Sequence, residues 1–376
     1  MQIGIPRETK DGERRVALVP DGVRDLVAAG HVVVVEAGAG AASGFADDAY
    51  RGAGAAVDDD AAMIWRCPLI VKVKEVQRGE YARLSPGTTV FGFAQLNRDR
   101  ALLAAVLAAR VRVIAFETIR DVHGALPLLA PMSRIAGRLA PLVGAQALMT
   151  SAGGNGTLVT GVDAVPGARV VVIGAGNVGG EAARVAARMG CDVTVFSRGA
   201  ARLAMLAAGN ERIHTVTLAG DPADLHDAIT RADLVICGVL EPGRLSPKLI
   251  PRDVVRAMRG GSAIVDVGID QGGVAETSRM TSLSQPTYVE EGVVHYAVPN
   301  MPALVARTAS LALAAAALPY VRRLADGVAH ALEHDAALAA GVMAWDGAIA
   351  HAGLAADLGS RASAAPWRAD RAERAA

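Results

Sequence analysis

The sequence predicts an α/β protein of two doubly wound, Rossmann-like domains with an interdomain cleft, the first domain being discontinuous in the chain. Three observations carry that expectation. The chain has 376 residues, more than the roughly 250–300 over which a single hydrophobic core grows. Short valine-rich runs alternate with helical stretches, the pattern of parallel strands joined by crossover helices. The alternation restarts after a glycine-rich connection, so a second sheet follows the first.

In the first series HVVVVEAG (31–38), LIVKV (69–73), TVFGF (89–93) and VRVIAFET (111–118) read as strands, being short, β-branched and bounded by Gly, Pro or charge. Asp21 to Gly30 reads as a helix with Asp21 as its N-cap and a terminating glycine. A long helix from about Ser133 to Met149 leads into TSAGGNGTLV, a natural hinge. The second series runs through VVVIGAGNVGGEAARVAARMGCDVTVFSR, ADLVICGV (232–239) and SAIVDVGI (262–269). From about Met301 the chain is alanine-rich and helical, with a long pattern from Val305 to Asp326, and is expected to rejoin the first domain. The expected domains are 1–130 with 305–358, and 131–304. Residues 359–376 are small, charged and aperiodic, a flexible tail.

The 38 basic and 38 acidic side chains cancel and form no long run of one sign. That excludes the broad basic footprint needed by nucleic acid or an anionic membrane, and leaves a small molecule as the partner. Cys67, Cys191 and Cys237 are far apart and include no CxxC, so neither a disulfide framework nor a metal site is expected. The N-terminal MQIGIPRETKDGERR carries charge where an export signal needs an apolar core. LALAAAALPYV, from Leu311 to Val321, is read as too short to span a bilayer. A soluble, cytoplasmic protein is expected.

The most specific motif is Gly174, Gly176 and Gly179 in G-x-G-x-x-G spacing, with Asn177 and Val178 inside it. It ends the apolar run VVVI, opens a helix and precedes a second strand, DVTVF, which is the context a dinucleotide loop requires. The first glycine permits a tight turn, the second admits a pyrophosphate, and the third lets helix and strand pack closely. Where an NAD site usually carries a carboxylate on the ribose, this chain has Ser197, followed by Arg198 and, one helical turn on, Arg202. A hydroxyl and two guanidinium groups favour the 2′-phosphate of NADP, with NAD possible if both arginines are solvated.

Arg15, the lysine pair Lys72 and Lys74, and Asp270 are further candidates. Arg15 can pair bidentately with a substrate carboxylate, or neutralise Glu13. Lys72 and Lys74 share one face of a strand; Lys74, at its carboxyl end, is the better site candidate because ligands of open α/β sheets bind there. Asp270, read as the end of a strand in IVDVGIDQGG, either faces the cleft or caps a surface turn.

IGIPRE, KVKE, FETI with GALPLLAPMS and AGR, VVVIGAGNVG, VDVGIDQGG and NMPA occur together and in order from residue 2 to about 358. In these motifs the chain resembles the alanine dehydrogenase family, which also includes a domain of the nicotinamide nucleotide transhydrogenases. The resemblance implies a substrate domain completed by the returning helices, a dinucleotide domain, and a homohexamer. It implies that Arg15 holds the substrate carboxylate, Lys74 contacts the carbonyl or imine oxygen, and Asp270 sits beside the amine and the nicotinamide ribose, next to Ile269. It places Ser133 and Asn300 along the cofactor, with Val239 and Leu240 near it.

The chain departs from that family at two positions. Ser197 replaces the Asp of NAD-dependent members, in line with the NADP reading. Gln95 stands where the family carries a substrate-proximal His. Glutamine cannot titrate, but its amide can donate to oxygen and accept from ammonium. Proton work would then fall to Lys74 or Asp270, and burial with the like charge of Arg15 would depress the pKa of Lys74. Arg134, where relatives often have an acid, suggests a larger or acidic 2-oxo acid or a preformed imine, or else is a solvated helix-start residue. The resulting expectation is an NADP(H)-dependent amino-acid dehydrogenase, interconverting a 2-amino acid with a 2-oxo acid and ammonia or reducing the related imine. The alternatives are a non-catalytic NADP-binding homologue and a transhydrogenase component.

Overall fold

The computed structural model describes residues 1–219, 222–239, 245–358, 362 and 367. It divides into two compact units, residues 1–132 with 303–376, and residues 133–302.

The first unit opens with β1 (Gln2–Ile5), β2 (Val32–Glu36), β3 (Ala56–Asp58), β4 (Leu69–Val71), β5 (Thr89–Gly92) and β6 (Arg112–Ala115). The second holds β7 (Arg169–Ile173), β8 (Asp192–Ser197), β9 (Ile213–Thr217), β10 (Leu234–Cys237), β11 (Ala263–Asp266), β12 (Thr287–Glu290) and β13 (Val293–Tyr296). β14 (Val342–Trp345) and β15 (Ala348–Ile349) return to the first. The sheet orders are β15-β14-β6-β5-β4-β1-β2-β3 and β12-β13-β11-β10-β7-β8-β9. Within each, the central strands are parallel, and among the described residues the antiparallel pairs are β12 with β13, β14 with β15 and β14 with β6. Parallel strands covered on both faces should be continuously apolar. β4, β10 and β11 are buried at every position, as LIV, LVIC and AIVD. The expected α/β class holds for both units.

The strands are shorter than the sequence reads. β4 stops at Val71 and β6 at Ala115, so Lys74 and Glu117 lie on the segments that leave the sheet. The first helix is Pro20–Ala28, with proline at its first position and Val19 as N-cap. Asp21 is therefore a first-turn residue and not the expected cap, because proline already satisfies the start of the helix. The long helix spans Ala130–Ala147. The glycine-rich segment after it lies inside the second unit, with Gly154 N–H on Met149 O and Asn155 N–H on Gly261 O, so it is not at the division between units.

The helix Ala306–Asp326 buries Ala309, Leu313, Ala317, Val321 and Leu324, one helical face, in the first unit. Ser310 on that face accepts the Val16 N–H at 3.0 Å and bonds Ser43 Oγ at 2.9 Å. The 26-residue stretch Met301–Asp326 contains an 18-residue window of mean hydropathy 1.6, long and apolar enough to cross a membrane, and half of that window is buried inside the fold. The run Leu311–Val321, expected to be too short, is the middle of this longer stretch. Cys67, Cys191 and Cys237 are buried free thiols. Of the expected tail, only Ala362 and Trp367 are described, and Trp367 is buried edge-on to Trp345.

Candidate active site

In the first unit, parallel β4, β5 and β6 send their next segments off one carboxyl edge of the sheet. Those segments carry Lys74, Gln95 and Glu117. Lys74 is buried, and Glu8 accepts the backbone N–H groups of Val73 at 2.5 Å and of Lys74 at 3.4 Å. Gln95 is half-buried with φ of +48°, a conformation uncommon for a side chain larger than glycine. Glu117 holds it there, accepting from Gln95 N–H at 2.8 Å and from Ala94 N–H at 3.1 Å. Burial pushes the Glu117 carboxyl up, against those N–H groups and the charge of Lys74.

Arg15 is almost fully buried and pairs with Glu13 in fork geometry, Nε to Oε1 at 2.7 Å and Nη2 to Oε2 at 2.6 Å, with Nη1 3.1 Å from Met132 Sδ. Of the two readings of Arg15, the pairing with Glu13 is present. It also fixes the plane of the guanidinium, which is the condition for binding a planar carboxylate.

Lys72 has a different role from Lys74. Its Nζ is wholly buried, 2.8 Å from Glu80 and 3.5 Å from Glu8. Burial opposes its charge, but the two carboxylates outweigh burial and raise its pKa. Two carboxylates on one ammonium leave a surplus negative charge in a buried place, and burial pushes Glu8 up to about 7. The folded state therefore holds a proton on Glu8 that the unfolded chain releases near its ordinary value of 4.5. Stability is full below the unfolded value and is lost as pH rises from there through about 7. Glu8→Gln, permanently neutral, should lack this dependence: its melting temperature relative to the parent should be higher at pH 8 than at pH 5. An equal difference at both values would show that Glu8 ionises normally.

In the second unit β7 ends at Ile173, and Gly174 turns the chain at φ +100° into the helix Asn177–Arg188. A Cβ on Gly179 would lie 1.8 Å from Gly174 O, so this position requires glycine for helix and strand to approach. A Cβ on Gly176 would meet nothing within 4 Å. Open space there, at a helix N-terminus that no side chain caps, fits a pyrophosphate. Asn177 is exposed and Val178 half-buried in that first turn.

The neighbouring loops converge on the same edge. Gly238 and Val239 after β10 lie against Gly174, and Gly268 after β11 lies against Val239. Asp270 is exposed in the 3-10 turn Val267–Gln271, four residues beyond the end of β11, which stops at Asp266. The expectation that Asp270 ends the strand is corrected: Asp266 ends it, and is buried, accepting from Val274 N–H and Ser278 Oγ. Ile269 is buried beside Asp270, and Gln271 Oε1 is buried with no partner among the described residues. Ser197 is the last residue of β8, half-buried, with Arg198 and Arg202 exposed after it. Ser133 and Asn300 are half-buried, Asn300 at φ +62°, and Arg134 is exposed. Leu240 lies outside the described residues.

Glu13 is foreseen as the partner of Arg15, whereas Glu8 and Glu117 are not foreseen from the sequence. Glu8 belongs to the charged N-terminal segment, where no local pattern sets it apart, and Glu117 sits in FET, expected to be strand.

The family profiles "Alanine dehydrogenase/PNT, N-terminal domain" and "Alanine dehydrogenase/PNT, C-terminal domain" match residues 4–136 and 140–352. The chain is 47% identical over 358 residues to an alanine dehydrogenase of Halomonas elongata, covering 94% of this chain and 96% of that one. A solved L-alanine dehydrogenase superposes with a TM-score of 0.92 at 42% identity, over 96% of this chain and 99% of that one. A transhydrogenase from Sinorhizobium meliloti superposes with a TM-score of 0.80 at 26% identity, over 93% and 99%. With both halves matched in order and near-complete relatives at 42–47% identity, the chain belongs to the alanine dehydrogenase/PNT family and is an oxidoreductase of that family.

Proposed function

We propose that the protein is an NADP(H)-dependent amino-acid dehydrogenase of the alanine dehydrogenase type, interconverting a 2-amino acid with a 2-oxo acid and ammonia. The observation that supports it most is the grouping of Lys74 and Gln95 beyond one sheet edge, in a unit that also holds a buried Arg15 whose plane Glu13 fixes. With the pyrophosphate of the dinucleotide at the glycine loop, its nicotinamide would supply or accept hydride at C4. Arg15 would hold the substrate carboxylate. Lys74 would donate to the carbonyl oxygen and protonate it as water leaves. Asp270 would stabilise the ammonium, and the Gln95 amide would orient the oxygen and the amine without exchanging a proton. Ser133, Asn300, Val239 and Ile269 would line the cofactor. We read the active form as a homohexamer in the cytoplasm.

The NADP preference rests on the end of β8, which offers Ser197, Arg198 and Arg202 where a carboxylate would repel a 2′-phosphate. Fluorescence titration should show NADPH bound more tightly than NADH; a tenfold preference for NADH would overturn it. Ser197→Asp should weaken NADPH by about tenfold or more, since two like charges near 4 Å cost about 1–4 kcal/mol outside the deep interior. NADH should be spared.

Gln95→His places a titratable ring on a backbone that tolerates it, because histidine is enriched at positive φ. With pyruvate and ammonia, turnover should rise by up to about 10²-fold, the low end of general acid–base catalysis. No rise would mean that other positions define the substrate.

A further inference from the structure

The short helix Val328–His334 of the first unit carries His330, Glu333 and His334. Residues three and four apart share a helix face, and one donor atom from each of these three lies within 4.8 Å of the others. The imidazole rings sit 4.1 Å apart, centroid to centroid. His334 Nδ1–H donates to the His330 carbonyl oxygen at 2.9 Å. That bond fixes the ring and its tautomer and leaves Nε2 with its lone pair, the arrangement metal-bound histidines adopt. Both histidines are exposed, and they line a hollow of about 690 Å³ with Arg120, Arg323, Asp326 and Asp335, so a hydrated ion can reach them.

The geometry points to a divalent transition-metal site at His330, Glu333 and His334. Two donors about 2.1 Å from one ion are at most roughly 4.2 Å apart, so small side-chain rotations close the set. Imidazole with one carboxylate suits Zn²⁺ and its neighbours, whereas Mg²⁺ and Ca²⁺ require oxygen ligands. Water completes the shell. The spacing His-x-x-Glu-His also occurs in zinc peptidases, but on this exposed helix the inference is of binding alone. The expectation of no metal rests on the cysteines, which are dispersed and buried, and does not weigh the histidines. The site shares no residue with the proposed active site, so the two readings stand or fall separately.

The test is competition of Zn²⁺ against a chromophoric chelator, with the full chain. The parent should bind one more tight equivalent per chain than His330→Ala/His334→Ala, and His330→Gln alone should weaken that equivalent by about tenfold or more. Both variants should melt at the parent temperature without zinc. His214→Ala, at an exposed histidine paired with Asp192, should bind as the parent does. Equal zinc binding by parent and double variant, no binding by the parent, or displacement of Zn²⁺ by millimolar Mg²⁺ would overturn the site. Should the double variant fail to fold, His330→Gln decides: unchanged affinity overturns it.

Discussion

Replacing Gly176 by valine should leave the second unit folded while weakening NADPH binding by tenfold or more. Gly176 has φ −77° and ψ −165°, extended backbone that valine adopts readily. The added Cβ meets no protein atom within 4 Å, so its cost falls on whatever occupies that space. Overfilling a close-packed space costs about 1–3 kcal/mol, or roughly 5- to 150-fold in an equilibrium constant. Gly179→Ala is the counterpart, because its Cβ would strike Gly174 O. That variant should lose melting temperature and NADPH together. Unchanged NADPH affinity in Gly176→Val would place the pyrophosphate elsewhere.

Lys74→Met and Lys72→Met should fail in opposite ways. Lys74, held by Glu8 through its backbone, is the proposed proton donor. Its loss should lower turnover by about 10²- to 10⁴-fold, the usual contribution of general acid–base catalysis, with NADPH affinity and melting temperature nearly unchanged. Lys72 neutralises Glu8 and Glu80 in the interior. Removing it strands buried carboxylates, a change costing about 3–5 kcal/mol. Denaturant unfolding should register that loss directly. If Lys74→Met turns over at the parent rate, the proton comes from another group.

Valine-rich runs and the glycine spacing made the two sheets and the dinucleotide loop legible, because parallel strands buried on both faces leave a continuous apolar signature. Boundaries were less legible. The hydrophobic run into VRVIAFET passes smoothly over the end of β6, although its last residues serve Gln95 and not the sheet. Pro20 displaced Asp21 as the start of a helix because a cap is decided by which backbone N–H groups are left over, not by residue type alone. Carboxylates such as Glu8 and Glu117 act through backbone N–H groups distant in sequence, and no local pattern announces such pairs. Asp270 was noticed as chemistry but misplaced by four residues relative to the strand end.

NADPH oxidation by the purified protein across a panel of 2-oxo acids, with and without ammonia and with NADH in parallel, decides whether it is an amino-acid dehydrogenase. Turnover should require ammonia, favour NADPH and select among the acids by side chain. Turnover at the same rate without ammonia, or none with any acid while NADPH still binds, would contradict that function.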